Sequence, residues 1–301
     1  MRTRNLTLKL VVVIVTSAIM VLVSIKAGGG DLEPTAPPGP TMKTLGQVEP
    51  RIPISQADIP KTIDTPGSYY LTEDVSSAGT AITILVGDVT IDLSGFALVG
   101  PGSGTNYGIY MTARSNVEIR NGTVRNFSYG IYENSDNGSG HRVIDVRAVS
   151  NKIRGIYLSG SGHLVKGCTV GNNGTSATIT VNGIYAGYGC TVTGNTAFNN
   201  GASATGNVYG IHVSYGSTLT GNTAFNNGAS ATRSNVYGIY ASSGCTVTTN
   251  TAYFNGTGAS GNVYGIYLGG NSLVDQNTAY GNNGMNMNNP ANCTYGTNHA
   301  P

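Results

Sequence analysis

A Gly-Ile step recurs through this chain at Gly108, Gly130, Gly155, Gly183, Gly210, Gly238 and Gly265, at intervals of 22, 25, 28, 27, 28 and 27 residues. No other feature restricts the fold as severely. A period of this length means one supersecondary unit repeated and stacked, because so short a unit cannot bury an apolar face alone. Within each period lie short β-type runs such as VYGIHV and CTVTGNTAF, separated by Gly, Asn and Ser turns and without a helical stripe. Strands that return to one register in this way stack as a parallel β-solenoid. The run GNTAFNNGASAT even occurs twice, at 194–205 and 221–232, as expected when each residue packs on its own counterpart one rung away.

Columns read across the repeats test the register. The residue after each repeated glycine is Ile109, Ile131, Ile156, Ile184, Ile211, Ile239 and Ile266, a stack that should face inward. A second inward column is read as Ile119, Ile144, Val165, Val192, Leu219, Val247 and Val274. Three residues beyond it stand Cys168, Asn195, Asn222, Asn250 and Asn277. Stacked amides at that position are expected to hydrogen-bond from coil to coil, satisfying polar groups at a tight turn.

The flanks differ in kind. In residues 1–27, Arg2, Arg4 and Lys9 precede an apolar run from Leu10 to Ile25, and small residues follow, the pattern of a signal peptide. An uncleaved anchor is the alternative, although the run is short against the ~20 residues of a spanning helix. Residues 28–64 are rich in proline and read as a linker, 65–283 as the solenoid of about eight coils, and 284–301 as a C-terminal tail or cap. Loss of residues 1–27 leaves 12 Lys and Arg against 14 Asp and Glu, so no basic surface points to nucleic acid, and a membrane is met only through an uncleaved N-terminal segment. The chain is expected to be secreted or held in the cell envelope.

The segments DVTIDLSGFALVGPG and SNVEIRNGTVRNFSYGIY, together with the asparagine column, resemble the right-handed parallel β-helix proteins of the pectin-lyase-like superfamily. The resemblance covers roughly Thr65 to Asn283 and implies an all-β, single-stranded β-helix. It implies no one activity, because the superfamily spans polysaccharide lyases, hydrolases and epimerases as well as proteins without a reaction. Lyases of this kind gather acidic residues around Ca²⁺ beside a basic residue, whereas hydrolases group several aspartates. From Gly167 to Pro301 the only Asp, Glu, Lys or Arg residues are Arg233 and Asp275, so neither arrangement fits the later coils. NTAF replaces an Asn-Thr-Asp motif, and the SGH segments at His141 and His163 lack a following Gly.

A polysaccharide lyase or hydrolase therefore has room only on the coils from Asp92 to Arg154, with Glu133, Asp136, Asp145 and Arg142 as its candidate catalytic residues. Ca²⁺ accompanies that reading alone; otherwise no cofactor or metal site is implied. The plainer account is a surface ladder, with Arg120, Asp145 and Lys166 in one outward column of alternating sign and Asp92 before them. Glu133 falls in the inward column of Met111, Leu158, Val213 and Leu268, and the loop ENSDNGSG is expected to turn it out. Cys190 and Cys245 lie two coils apart, about 9.6 Å, beyond disulfide reach, and no CxxC spacing suggests zinc.

Outward tyrosines offer a binding surface. Two residues after the repeated Gly stand Tyr110, Tyr132, Tyr157, Tyr185, His212, Tyr240 and Tyr267, and one before it Tyr107, Tyr129, Arg154, Asn182, Tyr209, Tyr237 and Tyr264. Of these, Tyr185, Tyr209, His212, Tyr237, Tyr240, Tyr264 and Tyr267 are the carbohydrate-binding candidates, for a polysaccharide or cell-surface glycan. The rings either stack on sugars or stack on one another. A third class, an ice-binding face, rests on the pairs Thr191 and Thr193, Thr218 and Thr220, and Thr246 and Thr248, bounded by Lys166 and Asp275. The expected function is a non-catalytic structural or glycan-binding β-helix.

Overall fold

Apolar and polar residues alternate in each Gly-Ile run, so a strand built from it presents isoleucine to one side and the flanking tyrosines to the other. In the computed structural model, which describes residues 49–301, these runs form a ten-stranded parallel sheet from Lys61–Ile63 to Met285–Met287. An 18-stranded sheet supplies the rest of each coil. A typical coil runs Val208–Val213, Thr218–Thr220 and Thr223–Phe225, and each strand pairs in parallel with its counterpart one coil on. The result is an all-β solenoid of about eight turns with partial coils at both ends.

The segment 1–27, and residues 28–64 up to residue 48, lie outside the described residues. The described end of the expected linker is not extended tether, for Ile52–Ile54 and Lys61–Ile63 are already solenoid strands. Among the described residues Ile52–Ile54 pairs with Gly67–Leu71 alone, and Pro53, which lacks an N–H, is tolerated on such an edge strand. At the other end Met285–Met287 and Thr294–Tyr295 add to the last coil's strands, so the segment 284–301 continues both sheets.

The isoleucine column is in register throughout: Ile211 pairs with Ile184 on one side and Ile239 on the other, and all three are fully buried. The second column needs one correction. Its inward member is Val143, paired with Ile119 and Val165, while Ile144 points outward between Arg120 and Lys166. The cause is a left-handed residue at this corner: Asn121, Asp145, Gly167, Gly194 and Gly221 occupy it, all with positive φ, so inward residues are spaced by three across it. Asp145 therefore sits on the turn and leaves the charged column in which it was expected.

Three corners carry side-chain ladders. At the first, Asn222 accepts the Asn195 backbone N–H at 3.0 Å and donates to Asn250 Oδ1 at 2.9 Å, and the pattern repeats to Asn277 and Asn298. A second ladder, Asn151, Asn173, Asn200, Asn227, Asn255 and Asn282, went unread in the sequence although the NN pairs at 199–200 and 226–227 announce it. It explains the repeated glycine, because a Cβ on Gly210 would meet Asn227 Nδ2 at 2.7 Å and the Gly238 carbonyl at 2.5 Å. The third ladder mixes chemistries: His141 N–H donates to His163 Nδ1, His163 N–H to Cys190 Sγ and Cys190 N–H to Ser217 Oγ. All four cysteines are free thiols, and burial pushes the Cys168 thiol up to about 12.

Candidate functional site

Rungs about 4.8 Å apart place successive tyrosine rings at near-contact distance. The rings use it to cover one another. Tyr132 stacks on Tyr157 at 5.2 Å, Tyr157 on Tyr185 at 4.5 Å, and Tyr240 on Tyr267 at 4.9 Å with planes 6° apart. In the neighbouring column Tyr209, Tyr237 and Tyr264 stack at 4.8 and 5.4 Å. The Arg154 guanidinium lies 4.1 Å over the Tyr157 ring. A ring covered on both faces shows solvent only its edge and hydroxyl, so most of this ladder has no face left for a sugar. His212 is wedged among Tyr185, Tyr209 and Tyr240 at 4.6 to 4.9 Å, where burial lowers its pKa to about 4. Tyr185, Tyr209, His212 and Tyr237 are thus held in the stack, and Tyr264 ends its column on Tyr237, with Met285 on the next rung.

The ladder lapses near its C-terminal end. No tyrosine follows Tyr267: Ile266 pairs with Met287, which puts Asn288 on the next rung. One strand-end further round the coil, Tyr215 stacks on Tyr188 at 6.2 Å, but its counterparts on the following rungs are Ser243 and Gly270. Side-chain volume therefore tapers to nothing over two rungs. The taper opens a groove of about 380 Å³ lined by Tyr215, Tyr240, Ser242, Ser243, Tyr267, Leu268, Gly269, Gly270, Asn288 and Pro290. Tyr215, at 58% exposure, and Tyr267 each border it at the end of a stack, with no ring on the next rung of their columns. Of the seven sequence candidates, Tyr240 and Tyr267 line the groove. Tyr215 was missed, although the series YG, YG, SG, GN at 188, 215, 243 and 270 carries the signal.

The carboxylates do not assemble. Glu133 is fully buried, in register with Met111 and Leu158, so the loop after it does not turn it outward as expected. Its carboxylate is instead held from within: Oε1 accepts N–H bonds from Ser135 at 2.7 Å and Ala113 at 3.1 Å, and Oε2 accepts that of Arg114 at 3.3 Å. His141 Nε2 stands 3.6 Å from Oε2, just beyond hydrogen-bond length. Burial pushes the Glu133 carboxyl up, but the facing His141 and the three N–H donors outweigh it and hold the group below the ordinary range. Loop residue Gly138 closes over the side chain, 2.8 Å separating an added Cβ from Glu133 Cγ.

Asp136 is exposed on that loop, Asp145 is exposed on the turn of the other sheet, and Arg142 is engaged by Glu118 at 2.9 Å. Asp92 likewise binds Arg120 at 3.2 Å. These cross-strand ion pairs form the surface ladder, without Asp145. Among the described residues no three His, Cys, Asp or Glu side chains are grouped to hold a metal ion. The threonine pairs do line one outward face in register, with Thr220 and Thr248 hydroxyls 3.2 Å apart.

Fold and chain pattern define the class. The family described as right handed beta helix region matches residues 76–252, more than half the chain, and the protein belongs to it. It is a right-handed parallel β-helix. No curated protein matches it. Among solved structures it is similar to the A-module of Azotobacter vinelandii mannuronan C-5 epimerase AlgE4, at 15% identity over 83% of this chain and 85% of that one, with a TM-score of 0.52. It is also similar to an alginate lyase from Paenibacillus sp. str. FPU-7, at 16% identity over 83% and 99% of the two chains and a TM-score of 0.46. Pectate lyase Pel9A shows 15% identity over 75% and 71%, with a TM-score of 0.44. At these identities the likeness is one of fold.

Proposed function

We propose that this chain is a secreted or surface-tethered β-helix that holds a polysaccharide in the groove of Tyr215, Tyr240 and Tyr267 without cleaving it. The observation that carries the reading is the lapse of the aromatic ladder, which leaves two phenol faces open beside serine hydroxyls. An apolar ring face beside a few polar groups is what an amphipathic sugar ring needs. A lyase or hydrolase on the earlier coils is less well supported, because Glu133 is sealed inside, Asp136 and Asp145 are exposed on separate elements, and Arg142 is engaged by Glu118. Secretion rests on the signal-like residues 1–27.

The test is affinity electrophoresis in gels cast with a panel of polysaccharides. Retardation of the native protein, lost in the Tyr215→Ala/Tyr267→Ala double variant and unaffected by EDTA, is the expected result. Incubation should release no reducing ends and no unsaturated products. Product that accumulates with native protein and disappears in Glu133→Gln or Asp145→Asn would establish the enzyme reading instead.

A further inference from the structure

We infer that the glycan taken by this groove is an uncharged one; the inference rests on the binding reading above. None of the groove's lining side chains carries a charge at neutral pH. The surroundings are equally bare. Eight of the eleven Lys and Arg residues after residue 50 lie between Arg114 and Lys166, and Arg233 is the sole Lys or Arg beyond them. Arg233 precedes the strand Val236–Ala241, whereas Ser242 and Ser243 of the groove follow it, a separation of roughly 20 Å along the strand. Lys166 stands four rungs before Asp275 in its column, roughly 19 Å, which is more than two Debye lengths at physiological salt. The nearer charge in that column is Asp275, and its sign repels an anion.

A polyuronate brings a carboxylate on every sugar. In this groove each would lose part of its hydration or stay at the rim, and no cation among the described residues lines it to offset either outcome. A neutral sugar meets none of that cost. It gains the two open ring faces and the hydroxyls of Ser242, Ser243 and the tyrosines. Gly269 lies flat on the preceding rung, where an added Cβ would lie 2.5 Å from the Ser243 backbone nitrogen. The groove therefore favours neutral polymers over polyuronates.

The experiment compares gels containing hydroxyethyl cellulose, laminarin, mannan or dextran with gels containing alginate or polygalacturonate, each at 10 and 500 mM NaCl. At least one neutral polymer should retard the native protein equally at both salt levels, with the polyuronates about tenfold weaker or inert. Tyr215→Ala/Tyr267→Ala should reduce neutral binding by about tenfold or more. Ser243→Lys should gain polyuronate retardation at 10 mM NaCl that vanishes at 500 mM. Retardation by polyuronates alone, or no gain in Ser243→Lys, overturns the preference for neutral glycans while leaving glycan binding standing. No retardation in any gel overturns the binding reading itself.

Discussion

Replacing Asn222 by alanine measures what the asparagine ladder contributes. The side chain is 1% exposed and makes four hydrogen bonds: its Oδ1 accepts Asn195 N–H and Asn195 Nδ2 at 3.0 Å each, and its Nδ2 donates to the Val192 carbonyl at 2.8 Å and to Asn250 Oδ1 at 2.9 Å. Truncation leaves the Asn195 backbone N–H without its acceptor in the interior, at about 1 to 3 kcal/mol. The remaining losses are milder. Asn195 Nδ2 keeps the Val165 carbonyl, and Asn250 Oδ1 keeps the Asn222 backbone N–H. Adding about 0.5 to 1 kcal/mol for each weakened bond gives a total near 3 or 4 kcal/mol, or a fall in Tm of roughly 10 °C for a domain of this size. Thr220, two residues earlier on the outside, is the control, and Thr220→Ala should stay within about 0.5 kcal/mol. Asn222→Asp should be worse than alanine at neutral pH, since its second oxygen would face the Val192 carbonyl and Asn250 Oδ1, and should improve on acidification as the acid regains a donor. Thermal unfolding by circular dichroism reads all three. Should Asn222→Ala melt within 2 °C of the native protein, the ladder is not what satisfies this corner and the argument fails.

Ile211→Asp places an uncompensated charge in the fully buried isoleucine stack and should cost several kcal/mol, visible as loss of the cooperative melt; a melt like that of Thr220→Ala would show inside and outside to be reversed. His163 accepts the His141 N–H on Nδ1 and faces the Ser159 carbonyl through Nε2, so only the neutral ring fits, and burial holds its pKa at about 4. Between pH 6.5 and 4 the unfolded chain binds that proton and the folded one does not, so stability falls with pH across this window by roughly 3 kcal/mol; denaturant titrations of His163→Asn should show a flatter profile, and an unchanged slope would refute the assignment. Glu133→Leu removes the acceptor for the N–H of Ser135 in the loop and for those of Ala113 and Arg114 one coil before it, and should speed proteolytic cleavage within residues 134–140 by about tenfold or more at unchanged global fold; equal cleavage rates would mean that the carboxylate does not anchor the loop.

Repetition by itself determined most of the fold. Strands that recur at one spacing can bury their apolar face only by stacking, so the isoleucine column and the Asn195 to Asn277 ladder are already legible as one-dimensional patterns. The pattern was ambiguous where two apolar residues adjoin: Val143 and Ile144 were separable only once Asp145 was seen to be the left-handed residue of the corner. Proline likewise hid the first strands, because a strand paired on one side alone among the described residues can do without the N–H that proline lacks. The site depended on tertiary structure to a greater degree. A tyrosine column shows that rings face outward, but whether a ring face is open depends on what stands one rung away and how the side chain leans, and here the rings chose each other. A groove opens where the columns lose their aromatics, beside Ser243, Gly270 and Asn288. Glu133 teaches the same physics in reverse: its column pointed it inward, and the local N–H of Ser135, two backbone donors from the preceding coil and a neighbouring imidazole let a carboxylate stay there.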